Sequence, residues 1–300
     1  NAPRIFRSFF TCSSVFIATV FSVATISCLA LVTLELGFFR LAVLQTCSGI
    51  INGILFAILV FAAWRRRRVL RKFFALRSTA PRDLNRLRSL GWKIAAGAVL
   101  LAALSVRVPI SRYAYGGQDQ GTYVLISRAL ARTGRIAQHS PVTAKIESTP
   151  RFAPLRRAYL HFAKNSGLAV SGRYEGGFLP GFYVADQDAG SIVPQFFHLH
   201  PAWMTIWGWL WSAQNGVFSL FFFSLLGLGA VWYLCRWGLN DRLAGLLALA
   251  FFGFQILQVW TSRYPLSEIP AQTLLPCGLA LMAHALRTGP GPQEPMGKRH

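Results

Sequence analysis

A series of long apolar runs constrains this chain more than anything else in it. The hydrocarbon core of a bilayer is about 30 Å thick, and a helix needs about 20 apolar residues to cross it. Phe9 to Leu36 meets that length with no charge before Glu35, and Leu41 to Ala63 meets it with no charge at all. Leu90 to Ile110, Gly216 to Cys235, Leu243 to Trp260 and Ile269 to Leu286 are further runs of spanning length. Of the 300 residues, 53% are hydrophobic and 14% charged. Soluble domains carry about 25% charged residues, so an ordinary soluble enzyme and a disordered chain are both excluded. The expected fold is an all-α polytopic membrane protein.

The net charge of +21 would suit a nucleic-acid binder, but the apolar runs are too long for such a module. The partner read from the charge is a lipid bilayer, with no nucleic acid. Short loops rich in Lys and Arg stay on the cytoplasmic side. Trp64-Arg65-Arg66-Arg67-Arg68, followed by Arg71, Lys72, Arg77, Arg82, Arg86 and Arg88, therefore sets the orientation. With that loop inside, the N-terminus is inside and the stretch from Ser111 to about Pro194 is outside. Pro201 to Ala213 is short for a span. If it lies in the outer interface, Arg236, Arg242 and Arg287 all fall inside, so it is read as a juxtamembrane helix. Its four tryptophans, Trp203, Trp207, Trp209 and Trp211, suit a headgroup belt. Lys93 and Arg107, near the two ends of the third run, are expected to snorkel to the interface.

The expected organisation follows. Residues 1–63 hold two transmembrane helices, and 64–89 a basic cytoplasmic loop. Residues 90–110 form a third transmembrane helix. Residues 111–215 form one large extracytoplasmic loop with amphipathic and juxtamembrane helices. Residues 216–287 hold three more transmembrane helices, and 288–300 a Gly/Pro tail, giving about six spans in all. Within the outer loop, Tyr123, Ile126 and Leu130 stand at helical spacing, so Asp119 to Gly134 reads as an amphipathic helix. Gly176 to Pro194 reads as a hairpin turning at Asp186 to Gly190. The glycine-rich Gly172-Arg173-Tyr174-Glu175-Gly176-Gly177 reads as a turn. Cys12, Cys28, Cys47, Cys235 and Cys277 lie in or beside apolar runs without metal-ligand spacing and are expected as buried thiols.

Three constellations could carry chemistry. In Tyr115-Gly-Gly-Gln-Asp-Gln-Gly-Thr-Tyr123, Asp119 is a helix cap, a general base at the membrane surface or a metal ligand. In Pro194-Gln-Phe-Phe-His-Leu-His-Pro201, His198 and His200 bind metal, contact phosphate or cap a helix. In Thr261-Ser-Arg-Tyr-Pro-Leu-Ser-Glu-Ile-Pro270, Arg263 and Glu268 stand at the bilayer edge. There they either pair with each other or form a phosphate site, in which a carboxylate steadies the guanidinium fork. No P-loop, G-x-S-x-G, H-E-x-x-H or dinucleotide fingerprint is present.

Taken in order, these elements resemble the GT-C membrane glycosyltransferases, nearest to the bacterial, protein-mannosyltransferase-like members of family 39. Trp260-Thr-Ser-Arg-Tyr-Pro-Leu-Ser-Glu268 is similar to their aromatic-Ala-Arg-Tyr-Pro-x-Ser-Glu segment. His200-Pro201-Ala202-Trp203 shares the first two positions of their His-Pro-Pro-Leu, and Asp119 stands where they carry an acidic motif, here flanked by Gln118 and Gln120. The resemblance covers Arg107 to Leu286 and matches the N-terminal part of such enzymes. It implies inverting transfer of a sugar from a polyprenyl-phosphate donor to a glycan, lipid or protein acceptor, at the outer face of a bacterial inner membrane. It implies Asp119 as catalytic base, and Arg263, His198 and His200 as donor-phosphate contacts supported by Glu268 and Tyr264. It fixes no cofactor and leaves a divalent cation open. The other readings are a non-catalytic scaffold or inactive truncated remnant, and a transporter with polar groups at broken helices near the bilayer midplane.

Overall fold

A computed structural model describes residues 12–65, 83–111, 119–154, 178–179, 181–186 and 189–288. The arginines from Arg66 to Arg82, the glycine-rich turn before Asp119, the Gly172–Gly177 stretch and the Gly/Pro tail lie outside the described residues. The protein is mostly helical. In chain order come α1 (Cys12–Glu35), α2 (Leu41–Arg65), α3 (Asp83–Ser105), α4 (Asp119–Thr133), β1 (Gln138–His139) and α5 (Pro141–Ser148). They are followed by β2 (Phe178–Leu179), β3 (Phe182–Asp186), β4 (Ser191–Pro194) and α6 (Leu199–Leu210). A 3-10 turn (Ala213–Phe218) then leads to α7 (Ser219–Gly238), α8 (Arg242–Phe254), α9 (Ile256–Arg263) and α10 (Glu268–Thr288).

This is a membrane protein by its helices, but the six expected spans are not all found. Among the described residues three helices are long and apolar enough to cross: Ser13–Glu35, Ala213–Gly238 and Glu268–Thr288. The pair α8 and α9 makes a fourth if counted as one bent span. The run Leu243 to Trp260 breaks because Gln255 takes an extended backbone and its side chain accepts from the Gln258 amide, capping a new helix. That helix leaves at 55°. The run Leu90 to Ile110 is an apolar helix only over Leu90–Ser105. Pro109 disfavours helical backbone at the residue before it and has no amide to donate. In α2 the apolar helix among the described residues is Leu41–Ile54.

The packing explains which helices belong together. α7 and α10 run parallel, with the Thr273 hydroxyl donating to the Phe223 carbonyl at 2.7 Å and His284 against Trp237 at 4.5 Å. α1 runs antiparallel to α7, placing Phe16 4.6 Å from Tyr233 near one end. α3 lies on α8 so closely that a Cβ on Gly253 would stand 2.8 Å from that of Ala103. The core of the bundle joins Phe16, Val23, Ala30 and Leu34 of α1 to Leu220, Phe223 and Ala230 of α7 and Ile269 and Ala280 of α10. Cys277 is buried as expected, whereas Cys28 is exposed on the outer surface of α1.

Two side chains depart from their expected places. Trp203 is only 4% exposed and sits in the core, its indole N–H donating to Ser27 at 3.0 Å, while Trp211 is 70% exposed. A buried indole needs such a partner, and Ser27 of α1 supplies it. Arg107 does not snorkel. It is 1% exposed, and its Nη1 donates to the carbonyls of Ala103 at 2.5 Å and Gly253 at 2.8 Å. The break after α8 leaves C-terminal carbonyls without intrahelical partners, and Arg107 reaches in to take one.

The described residues between α3 and α6 fold as a small layer over the bundle end. The expected hairpin is present as β2, β3 and β4, and β1 extends it to a four-stranded antiparallel sheet of order β1-β4-β3-β2. Phe182 faces Pro194 and Val184 faces Ile192, with an irregularity between Val184 and Asp186. The Asp186 carboxylate accepts from the Ala189 amide at 2.8 Å, the turn chemistry its sequence signals. Gly181, at φ +81, lets the β2–β3 turn touch α4, because a Cβ there would lie 2.4 Å from Thr122 Cγ2.

Candidate functional site at one end of the bundle

Asp119 opens α4 and Glu268 opens α10, each the acidic residue of its helix's first turn and each exposed. Carboxylates are favoured there because the helix dipole presents its positive end. The opposite end of α4 is held the other way: Arg40 donates to the carbonyls of Arg132 and Thr133 at 3.4 Å each.

Tyr123 brings the two helix starts together. One turn into α4, it is 3% exposed, and its hydroxyl bonds to that of Ser267 at 2.9 Å. Its ring packs against Phe196 and, edge to face, against His200, each at 5.1 Å. Burial pushes the phenol up from its ordinary pKa, the Ser267 bond opposes this, and the charges of Glu268 and Asp119 push it further up. Both carboxylates therefore act on one phenol.

Arg263 ends α9, half-buried, in the same region. It does not pair with Glu268. Its Nε donates to the Pro109 carbonyl at 3.2 Å, and its own carbonyl accepts from the Ser111 amide at 2.7 Å. The expected carboxylate support is thus replaced by the backbone leaving α3, and the two terminal nitrogens of the guanidinium make no hydrogen bond among the described residues. Tyr264 packs on Trp260 at 5.1 Å, and the Leu266 amide donates to the Tyr264 carbonyl at 2.7 Å. That tight turn sends Ser267 towards Tyr123.

The two histidines separate. His198, at the cap position of α6, reaches Glu35 at the end of α1, Nδ1 to Oε1 3.6 Å. Burial lowers its pKa and the Glu35 charge opposes that. His200 is 1% exposed. Burial lowers its pKa to about 3, only partly offset by the nearby Pro265 carbonyl, which lies outside good hydrogen-bond geometry. At neutral pH it is an uncharged ring under Tyr123. The positive charge expected of it at a phosphate site is absent in this conformation, and its place is that of a packing element.

Beside this cluster, α4, α6 and the 3-10 turn enclose a cleft of about 230 Å³ lined by Ser127, Arg128, Met204 and Gln214. Among the described residues no three His, Cys, Asp or Glu gather to hold a metal ion.

Sequence reasoning singled out Asp119, Arg263 and Glu268, and it took Tyr123 only as an apolar-stripe residue. It also missed Ser267 as the partner of Tyr123, and the burial of Arg107 against the break after α8. A tyrosine on an amphipathic stripe signals a polar tip needing a partner, and an arginine inside an apolar run signals a buried role. No protein-family model, curated protein or solved structure matches the chain.

Proposed function

We propose that this protein is a membrane glycosyltransferase of the bacterial inner membrane. It moves a sugar from a polyprenyl-phosphate donor to a glycan, lipid or protein acceptor on the extracytoplasmic face, with inversion. The observation that carries this reading is the Tyr123–Ser267 bond, which holds the helix opened by Asp119 against the segment bearing Arg263, Tyr264 and Glu268. A carboxylate and an arginine whose terminal nitrogens make no hydrogen bond among the described residues then share one end of an apolar bundle, where a lipid-borne donor would present its phosphate.

In the proposed step, Asp119 takes the proton of an acceptor hydroxyl as its oxygen attacks the anomeric carbon. The anomeric carbon–oxygen bond to phosphate breaks, and the polyprenyl phosphate leaves with that bonding pair. Arg263 stabilises the developing phosphate charge, the term that usually contributes most to such steps, and Tyr264 and Glu268 shape its surroundings. His198 adds charge only when protonated, and His200 adds none. Among the described residues no three His, Cys, Asp or Glu gather as a donor set for a divalent cation, and the proposed step uses none. Membranes containing the protein, incubated with labelled polyprenyl-phosphate sugars, should yield a labelled acceptor. Failure with every hexose and pentose donor, at confirmed expression, would defeat the reading.

One observation favours transport as a second reading. The break between α8 and α9, with Arg107 buried against it, resembles the polar broken helices of transporters. Uptake of a labelled solute by reconstituted vesicles, with no transfer product, would decide for it.

A further inference from the structure

At the opposite end of α7 and α10, three arginines converge with no ion-paired carboxylate among the described residues. Arg236 Nη1 and Arg287 Nη2 both donate to the Asn240 side-chain oxygen, at 2.8 and 2.7 Å, and Arg287 Nη1 donates to the Arg236 carbonyl at 3.2 Å. Arg242, two residues on, is close enough for its charge to act on Arg236. Asn240 reaches this position through a left-handed backbone, φ 56, a conformation asparagine tolerates better than most residues.

This bracket gathers like charges around a neutral amide. Two guanidiniums on one oxygen repel. The adjacent acid, Asp241, has its carboxylate on the Leu243 amide at 2.8 Å, capping α8. Among the described residues no carboxylate forms an ion pair with any of the three arginines. Each guanidinium has five N–H donors, so most donors here remain open, and the hydrogen bonds of the bracket are exposed. The surrounding surface is apolar: Leu239 is 68% exposed, Leu243 50% and Leu286 78%. Open guanidinium donors beside exposed leucines match a ligand with a phosphate and an acyl chain. The guanidinium fork fits phosphate oxygens.

We propose that Arg236, Asn240, Arg242 and Arg287 form a binding site for a phosphate group, supplied by an anionic phospholipid of the bilayer. The bracket preorients two forks on Asn240, Arg242 adds a third charge, and the leucines receive the acyl chains. This site stands at the end of the bundle away from Asp119 and does not depend on the glycosyltransferase reading.

The test uses the full chain purified in neutral detergent. Native mass spectrometry counts retained lipid, and thermal unfolding gives Tm, during titration with phosphatidylglycerol, phosphatidylcholine or inorganic phosphate. Phosphatidylglycerol should be retained in preference to phosphatidylcholine and should raise Tm. Arg242→Gln touches no bond of the bracket, so it should fold normally while weakening retention about fivefold, the loss expected per arginine at a lipid surface. Arg242→Gln/Arg287→Gln should lose most of the preference. Arg66→Gln/Arg67→Gln, which removes the same charge from the basic loop, should keep it. If inorganic phosphate gives the same protection and competes with the lipid, the phosphate site stands and its source is a soluble anion. Equal retention of the two lipids, or equal losses in the loop and bracket variants, would overturn the proposal.

Discussion

The hydroxyls of Tyr123 and Ser267 meet at 2.9 Å across 144 residues of sequence. Tyr123 projects from the helix that Asp119 opens, and Ser267 immediately precedes the helix that Glu268 opens. One hydrogen bond thus fixes the spacing of two helix starts that carry the exposed acids of this end of the bundle. Tyr123 makes it from a buried ring, and the bond itself is part-buried.

Replacing Tyr123 by Phe keeps the ring contacts with Phe196 and His200 and removes only that bond. A neutral hydrogen bond contributes about 1 kcal/mol, so Tm should fall modestly. Transfer activity should fall more, by about tenfold, because small misplacements of reacting groups carry large rate costs. Activity equal to wild type, measured in membranes at matched protein levels, would show that the bond does not align the site.

Arg263 is anchored through Nε to Pro109, and its terminal nitrogens make no hydrogen bond among the described residues. Arg263→Lys keeps the charge but loses the fork and the anchor. It should raise KM for the polyprenyl-phosphate donor and lower kcat, and Arg263→Ala should do so more strongly. Glu268→Gln should cost less than either, since Glu268 forms no ion pair with Arg263. Wild-type turnover by Arg263→Ala would remove the phosphate role.

Much of this architecture was legible in the chain, and what was not has physical causes. Helix α4 and the strands β2 to β4 follow from local periodicity and turn residues, and they stand where periodicity puts them. The broken span does not follow, because Leu243 to Trp260 reads as continuously apolar. Only the side chain of Gln255, accepting from the Gln258 amide, restarts the helix at a new angle. Strand β1 is too short to have a period of its own and exists by pairing with β4. The acids and Arg263 could be picked out as ionisable groups at a membrane edge. Their mutual placement could not, since it depends on Tyr123 meeting Ser267 and on Arg263 meeting Pro109 across distant segments.

Arg107 should separate stability from function. Two of its nitrogens, Nε and Nη2, are buried without partners, so its burial carries a cost that offsets its bonds to Ala103 and Gly253. Replacing a buried charge by an apolar side chain of similar length is often neutral for folding. Arg107→Met is therefore expected to keep Tm within a few degrees. The bend between α8 and α9 would lose its clasp, Arg263 at the far end of α9 would shift, and activity should fall about tenfold or more. A variant as active as wild type would mean that the clasp does not position Arg263.

His200 predicts an acid limb in stability. An exposed histidine protonates near pH 6.5, whereas burial lowers the folded value to about 3. Between those values the unfolded chain binds the extra proton, so stability rises with pH across the window and is lost as pH falls through it. The limiting slope for one such group is about 1.4 kcal/mol per pH unit. Burial of His198 acts in the same direction. His200→Phe keeps an aromatic edge against Tyr123 and removes the titration, so it should flatten the acid limb in thermal unfolding from pH 7 to pH 5. An unchanged limb would place the titration elsewhere.

Asp119 gives the sharpest separation between a structural and a chemical role. It is exposed, it stands in the first turn of α4, and its charge reaches Tyr123. A carboxylate at a helix start interacts favourably with the positive end of the helix dipole. Asparagine keeps the shape of the side chain and serves equally well near a helix start, but it cannot accept a proton. If Asp119 takes the acceptor proton, Asp119→Asn should lose about a hundredfold to ten-thousandfold in transfer rate, with Tm unchanged. If Asp119 only steadies the helix, both activity and Tm should stay near wild type. Donor binding supplies the internal control: it should survive in Asp119→Asn and fail in Arg263→Ala. Transfer within a few-fold of wild type would end the catalytic assignment of Asp119 while leaving the Arg263 phosphate role intact.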